Sequence, residues 1–306
     1  MLHSHHRRDF LRCTAWAAVA GGAAALPAAS GAHEPLSPAA GHKFKFSVAA
    51  YSYRRLLSGD RPQMSFEDFL HECARMDLEG AEPTSYYFPP GVTPEALRAF
   101  KRVAFRLGLD IAATSVGNDF CHPPGPERDA QIALVKRWIE NAEILGAPAL
   151  RIFAGRPRGE QTADQAHALV VEAIEECCAH GARHGVHLAL ENHGGLTATA
   201  EGTLRLCRDV DSPWFGLLLD SGNFRSEDPY GDLEKIAPYA VSVHVKVVMP
   251  APAGGTEPTD LVRLARILAR ANYRGYVALE YEEDGDPREV CPPYMDAVRA
   301  AFLQEL

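Results

Sequence analysis

The chain has 306 residues, 46% hydrophobic and 23% charged, with 31 basic against 40 acidic side chains and a formal net charge of −9. That balance excludes the basic face of a nucleic-acid binder, and the composition carries no collagen-like, low-complexity or heptad signal. The length permits two domains, but an α/β barrel of about 250 residues is routinely one.

Residues 1–32 read as a targeting segment. Arg7-Arg8-Asp9-Phe10-Leu11-Arg12 precedes an Ala-rich apolar run over residues 13–26, and Ser30-Gly31-Ala32 supplies small residues for cleavage. The Arg pair followed by Phe-Leu resembles a twin-arginine export signal, which implies export of a folded protein to the periplasm. The run is too short and too rich in Gly and Ala to span a bilayer comfortably, and no other stretch approaches that length. No membrane span is therefore expected after signal removal. Cys13 stands before the run, which argues against a lipoprotein. Losing Arg7, Arg8, Arg12 and Asp9 leaves 28 basic against 39 acidic side chains. Cys73, Cys121, Cys177, Cys178, Cys207 and Cys291 remain. None has zinc-ribbon spacing, and folding in a reducing compartment predicts free, buried thiols.

Residues 33–43 form a polar leader, and the folded domain is expected over residues 44–306. Phe44–Tyr53 is the first strand. Ser65–Met76 is a helix opened by a capping box between Ser65 and Asp68. Leu78–Thr84 is the second strand, with Glu82 at its end. Thr93-Pro94 opens a helix that Gly108 stops. Leu109–Ser115 is the third strand. A long loop follows over residues 116–126, carrying Asn118, Asp119, Phe120 and His122. Glu127–Leu145 is a helix, Ala147–Ala154 the fourth strand and Thr162–His184 a long amphipathic helix.

The fifth strand, within Val186–Gly195, ends in Glu191. The sixth, Phe215–Asp220, ends in Asp220. The seventh, Val241–Lys246, puts His244 and Lys246 on one face. The eighth, Tyr276–Glu280, ends in Glu280. Helices are expected near Ala200–Val210, Asp232–Ala237, Thr259–Ala271 and from Pro287 to Glu305. Eight strands alternating with eight helices are the pattern of a (β/α)8 TIM barrel, whose chemistry collects at the C-terminal strand ends. A doubly wound open sheet is the runner-up, but no Gly-rich phosphate loop follows the first strand.

Glu191, Asp220, His244 and Glu280 offer three hard oxygen ligands and one imidazole. That set suits a single divalent metal ion: Mn²⁺, Mg²⁺, Co²⁺ or Zn²⁺. Taken singly, each acid would better be read as an ion pair or a loop cap. Four at equivalent strand positions point to a metal.

These motifs resemble the xylose isomerase-like TIM barrels called sugar phosphate isomerases/epimerases. The residues that carry the likeness are Glu191-Asn192-His193, Asp220-Ser221-Gly222-Asn223, His244-Val245-Lys246 and Glu280, and it extends from about Phe44 to the C-terminus. The resemblance implies that Glu191, Asp220, His244 and Glu280 are the metal ligands. It also implies proton transfer on a sugar or keto-sugar through a metal-stabilised enediolate, with Glu191 and Glu280 removing and returning the proton. Two positions depart from the pattern. Asn223 stands where epimerases of free ketoses often have His, and Val247 where many members have Asp, which weakens an assignment to free ketoses.

Lys246 is a third catalytic candidate, as an oxyanion partner or equally as one half of a barrel-mouth ion pair. His193, Asn223, His122, Tyr51, Glu82 and Phe153 are substrate-binding candidates. His193 can line the pocket or bond a neighbouring loop. His122 can orient a sugar hydroxyl or sit solvated. Tyr51, Tyr53, Phe88, Phe120 and Phe153 can stack on a sugar or plug the barrel mouth. His180 and His184 read as helix-surface residues and His187 as barrel core. The partner expected is a small carbohydrate, and a homo-oligomer is left open. The alternatives are a 3-keto-glycoside lyase or hydratase, a metal-dependent phosphodiesterase of the DNA-repair type, and a sugar-binding barrel with a degenerate site. The acidic charge opposes the second, and the complete ligand quartet opposes the last.

Overall fold

The structure, a computed structural model, describes residue 35 and residues 41–251 and 254–304. The export segment expected over residues 1–32 lies outside the described residues. Parallel strands β1 (Lys43–Ala49), β2 (Gly80–Glu82), β3 (Asp110–Ile111, resuming at Thr114–Ser115), β4 (Ala149–Ile152), β5 (His187–Glu191), β6 (Phe215–Asp220), β7 (Ala240–Val245) and β8 (Arg274–Leu279) pair in sequence. The ring closes because β8 pairs with β1 in parallel, Lys43 opposite Arg274 through Val48 opposite Leu279.

Helices α1 (Phe66–Arg75), α2 (Pro94–Arg106), α3 (Pro126–Leu145), α4 (Ala163–His184), α5 (Ala200–Asp209), α6 (Pro229–Ile236), α7 (Leu261–Arg270) and α8 (Pro287–Leu303) follow the strands in turn. This is the (β/α)8 barrel that the alternation predicts. The Ser65–Asp68 capping box forms in both directions. Thr93 caps α2, with Pro94 in the first helical turn. Strands buried on both sides read as near-continuous apolar runs. Accordingly every residue of β6, Phe215 to Asp220, is buried.

The elements differ from expectation at several points. The first strand stops at Ala49, and Ala50–Tyr53 coils into a 3₁₀ turn. This takes Tyr51 off the strand, while Tyr53 packs fully buried on Phe69. The second strand is reduced to Gly80–Glu82. The third is interrupted at Ala112–Ala113, where its pairing passes from β2 to β4. Residues expected to be loop after β7 form a short antiparallel hairpin, Val248–Pro250 with Thr256–Pro258. The sixth helix starts earlier than Asp232 because Asp228 caps it and Pro229 opens it. The six cysteines from Cys73 to Cys291 are free and buried, as expected. No helix among the described residues is long and apolar enough to cross a membrane.

Candidate metal centre and active site

The C-terminal strand ends bring the four expected ligands to the barrel mouth. Glu191 closes β5, Asp220 closes β6, His244 is the penultimate residue of β7, and Glu280 follows β8 with its N–H donating to the Val245 carbonyl at 2.9 Å. Sheet register sets Asp220 opposite His244 and His244 opposite Ala278. All four side chains are buried. The loops behind them are stapled by side chains. The Asn192 carboxamide accepts from the Asp220 N–H at 2.8 Å and donates to the Asp220 carbonyl at 3.0 Å, tying the end of β5 to the end of β6. Ser221 Oγ accepts from the Lys246 N–H at 2.9 Å. Ser52 Oγ donates to the Leu279 carbonyl at 3.1 Å and accepts from the Tyr281 N–H at 2.9 Å.

Three of the four ligands converge. One donor atom each from Asp220, His244 and Glu280 lies within 4.8 Å of the others. Glu191 faces a different set of neighbours. Asn223 Nδ2 donates to one of its oxygens at 3.0 Å, and Arg151 Nε stands 3.3 Å from the other. Behind the cluster, fully buried Glu82 accepts from Ser115 Oγ at 2.8 Å and contacts His244 Nε2 at 2.9 Å. Glu82 thus grips the imidazole from behind. Burial alone would raise the Glu82 carboxyl, but the facing imidazole outweighs it and lowers the pKa. His244 moves the opposite way: burial opposes its charge, and Glu82 and Glu280 raise it well above the usual imidazole range. Lys246 Nζ lies 2.7 Å from Glu280, 2.8 Å from Glu282 and 3.4 Å from Asp220. The ammonium is therefore ion-paired at the barrel mouth. Its stem passes so close to Gly222 that a Cβ there would stand 2.6 Å from the Lys246 Cδ.

A cavity of about 180 Å³ opens over these groups. Tyr51, Phe153 and His193 line it together with Glu191, Lys246 and Glu280. Asn223 acts on Glu191, and Glu82 lies behind His244. His122 lines neither this cavity nor the larger one of about 360 Å³ beside it. Phe120 is buried in the core, and Phe88 packs with Phe66, Phe100 and Trp138. On the outer face, His180 and His184 pair with Glu140 and Glu143, while His187 stacks on Trp214.

The sequence reading missed Arg151. It sits in the apolar run of β4, 5% exposed, with its guanidinium 4.0 Å over the Phe153 ring and Nη2 donating to Tyr86 Oη at 3.3 Å. The signal was present: a charge inside a strand buried on both sides needs a partner.

The donor set fits a hard divalent ion. Asp220 Oδ2 and His244 Nδ1 are buried without hydrogen-bond partners, and both belong to the converging group. Four buried carboxylates, Glu82, Glu191, Asp220 and Glu280, are set against three buried cationic groups, Arg151, Lys246 and the His244 imidazole, one short of balance. Uncompensated buried charge is costly, and a dication would offset it.

Fold and site together define an α/β barrel with a cluster of oxygen and imidazole donors at its C-terminal mouth. The chain belongs to the xylose isomerase-like TIM barrel family, whose model matches residues 70–301. Among solved structures it is similar to D-psicose 3-epimerase from Clostridium cellulolyticum, at 16% identity and TM-score 0.70, covering 84% of this chain and 99% of that one. A xylose isomerase domain protein from Planctomyces limnophilus gives 16% identity and TM-score 0.64, covering 89% of this chain and 100% of that one. The probable 3-DHS dehydratase of petrobactin synthesis from Bacillus anthracis gives 18% identity and TM-score 0.65, covering 85% and 98%. At these identities the likeness is one of fold. No curated protein matches the chain.

Proposed function

We propose that the protein is a divalent-metal-dependent isomerase or epimerase of a sugar or keto-sugar, exported to the periplasm, that moves a proton through an enediolate. The observation that carries this reading is the convergence of Asp220, His244 and Glu280, two of them with unpartnered buried atoms, at a small cavity that Glu191 and Glu280 line. A divalent ion held by these four residues would polarise a carbonyl and its neighbouring hydroxyl and so acidify the carbon between them. The chain's own groups do the rest. Glu191 and Glu280 both line the cavity, and each has its own cation: Arg151 at 3.3 Å and Lys246 at 2.7 Å. Either carboxylate is placed to take a proton from substrate carbon. Asn223 holds one oxygen of Glu191, and Arg151 stands beside the other. Phe153 and His193, stacked with ring centroids 4.4 Å apart, form an amphipathic wall for a sugar face. The similar structure described as D-psicose 3-epimerase shares this fold and supports the reading.

The test is the metal content and Mn²⁺ or Co²⁺ binding of the signal-free protein beside Glu191→Gln, Asp220→Asn and Glu280→Gln. The expected result is one ion per chain in the parent and strong loss in the variants, followed by solvent-deuterium exchange into a ketose. A folded parent that binds no divalent ion sinks the proposal.

One observation favours a second reading, elimination from a 3-keto-glycoside. The cavity of about 360 Å³ shares Phe153 and His193 with the inner one and gives room for an aglycone. The similarity to a dehydratase is consistent with it. Release of the aglycone without entry of water separates it from isomerisation.

A further inference from the structure

The reaction at the barrel mouth leaves one cluster of ligand-type side chains unused. His180 and His184 stand one turn apart near the end of α4, the spacing that puts two side chains on one face of a helix. Their rings pack with centroids 4.6 Å apart. From α3, Glu140 accepts from His180 Nε2 at 3.1 Å and Glu143 from His184 Nδ1 at 2.8 Å. One donor atom each from Glu140, His180 and His184 lies within 4.8 Å of the other two, the same bound that holds for the group at the mouth. The histidines are sheltered but open to an ion, with side chains 14% and 23% exposed. A guanidinium only donates, so Arg183 Nη2, 2.8 Å from His180 Nδ1, marks that nitrogen as a lone pair and His180 as neutral. Neutral imidazole is the form that binds metals.

We propose that Glu140, His180 and His184 form a second metal site, for a Zn²⁺-class ion, that pins α3 to α4. Imidazole suits zinc better than magnesium or manganese, whereas the oxygen-rich mouth suits those harder ions. The two glutamates offset the charge of a dication, and exposed Arg183 is the resident cation that gives way to it. The helices lead from here into β4 at Ala149 and β5 at His187, so the site lies toward the strand starts, opposite the catalytic end. That is the stability face of such a barrel, and the site's role is to staple two helices rather than to react.

The test compares Zn²⁺ and Mn²⁺ binding by the signal-free protein, which lacks His3, His5 and His6, with that of His180→Gln and His184→Gln. The parent is expected to hold one more Zn²⁺ than Mn²⁺ per chain. Either substitution should weaken that additional ion at least about tenfold, the lower limit typical even for residues that only orient a ligand. Mn²⁺ binding should stay at the parent's level, which shows the fold intact. The thermal midpoint should gain more from Zn²⁺ in the parent than in either variant. Equal Zn²⁺ and Mn²⁺ counts overturn the proposal, as do equal gains in midpoint, an additional Zn²⁺ that both variants keep, or one that binds only above about 1 mM. A mouth that takes no metal lowers both counts by one and leaves their difference, so the two readings fail separately.

Discussion

Asn192 and Glu82 show how single side chains outside the ligand set build the site. Asn192 satisfies both backbone groups of Asp220 in a place closed to water. Asn192→Ala orphans both, so a loss of about 1–3 kcal/mol is expected in urea unfolding, with weaker metal retention. Glu82 grips the His244 imidazole through Nε2 and leaves Nδ1 for a ligand bond. Partners of this kind typically change metal affinity by about ten- to hundredfold. Glu82→Gln should weaken Mn²⁺ binding by that amount while circular dichroism stays at the parent's spectrum. The candidate ligands stood out because a strand that runs apolar and stops on a carboxylate marks its own end, as at Glu191, Asp220 and Glu280. Asn192 and Arg151 were not recognised. Asn192 acts on backbone groups brought near only by the fold. Arg151 looked like one polar interruption in a strand, and its meaning lay in the depth of its burial.

At the scale of elements, the local rules held where a few neighbouring residues decide the outcome. Helix starts at Ser65, Thr93 and Thr162 follow from cap chemistry alone, and all three side chains accept the expected backbone N–H. Ser65→Ala should cost about 1 kcal/mol in thermal or urea unfolding. Strand lengths were overestimated because an apolar run continues past the last paired residue, and only the neighbouring strand fixes where pairing stops. At the other end of the barrel, Asp110 accepts from Lys45 and from the Tyr276 hydroxyl, and these bonds hold its carboxyl below the usual carboxylate range. A depressed folded-state pKa stabilises above the unfolded value and loses that contribution as pH falls through the folded one. The parent should therefore exceed Asp110→Asn in urea midpoint at pH 7, by no more than about 1 kcal/mol for so exposed a pair. The two midpoints should converge as pH falls below the usual carboxylate range.

For the whole molecule, closure of the ring was legible as a count of eight repeats, but the seam was not, since no local pattern says which strands meet. The seam joins β1 to β8, and α8 covers it. Phe302 is fully buried and meets Phe44 edge-on at 5.0 Å and Phe46 at 6.3 Å. Phe302→Ala should destabilise by about 3–5 kcal/mol in a denaturant titration, because it opens a void between the first strand and the last helix. The partners Lys43 and Arg274 are 231 positions apart. A contact of such sequence separation forms late. During synthesis the first strand must wait, one edge unsatisfied, until nearly the entire chain has left the ribosome. Glu280 arrives with that same last strand. On the proposed reading, metal capture through Glu280 is therefore tied to completion of folding. Metal retention would then mark the molecules whose ring has closed.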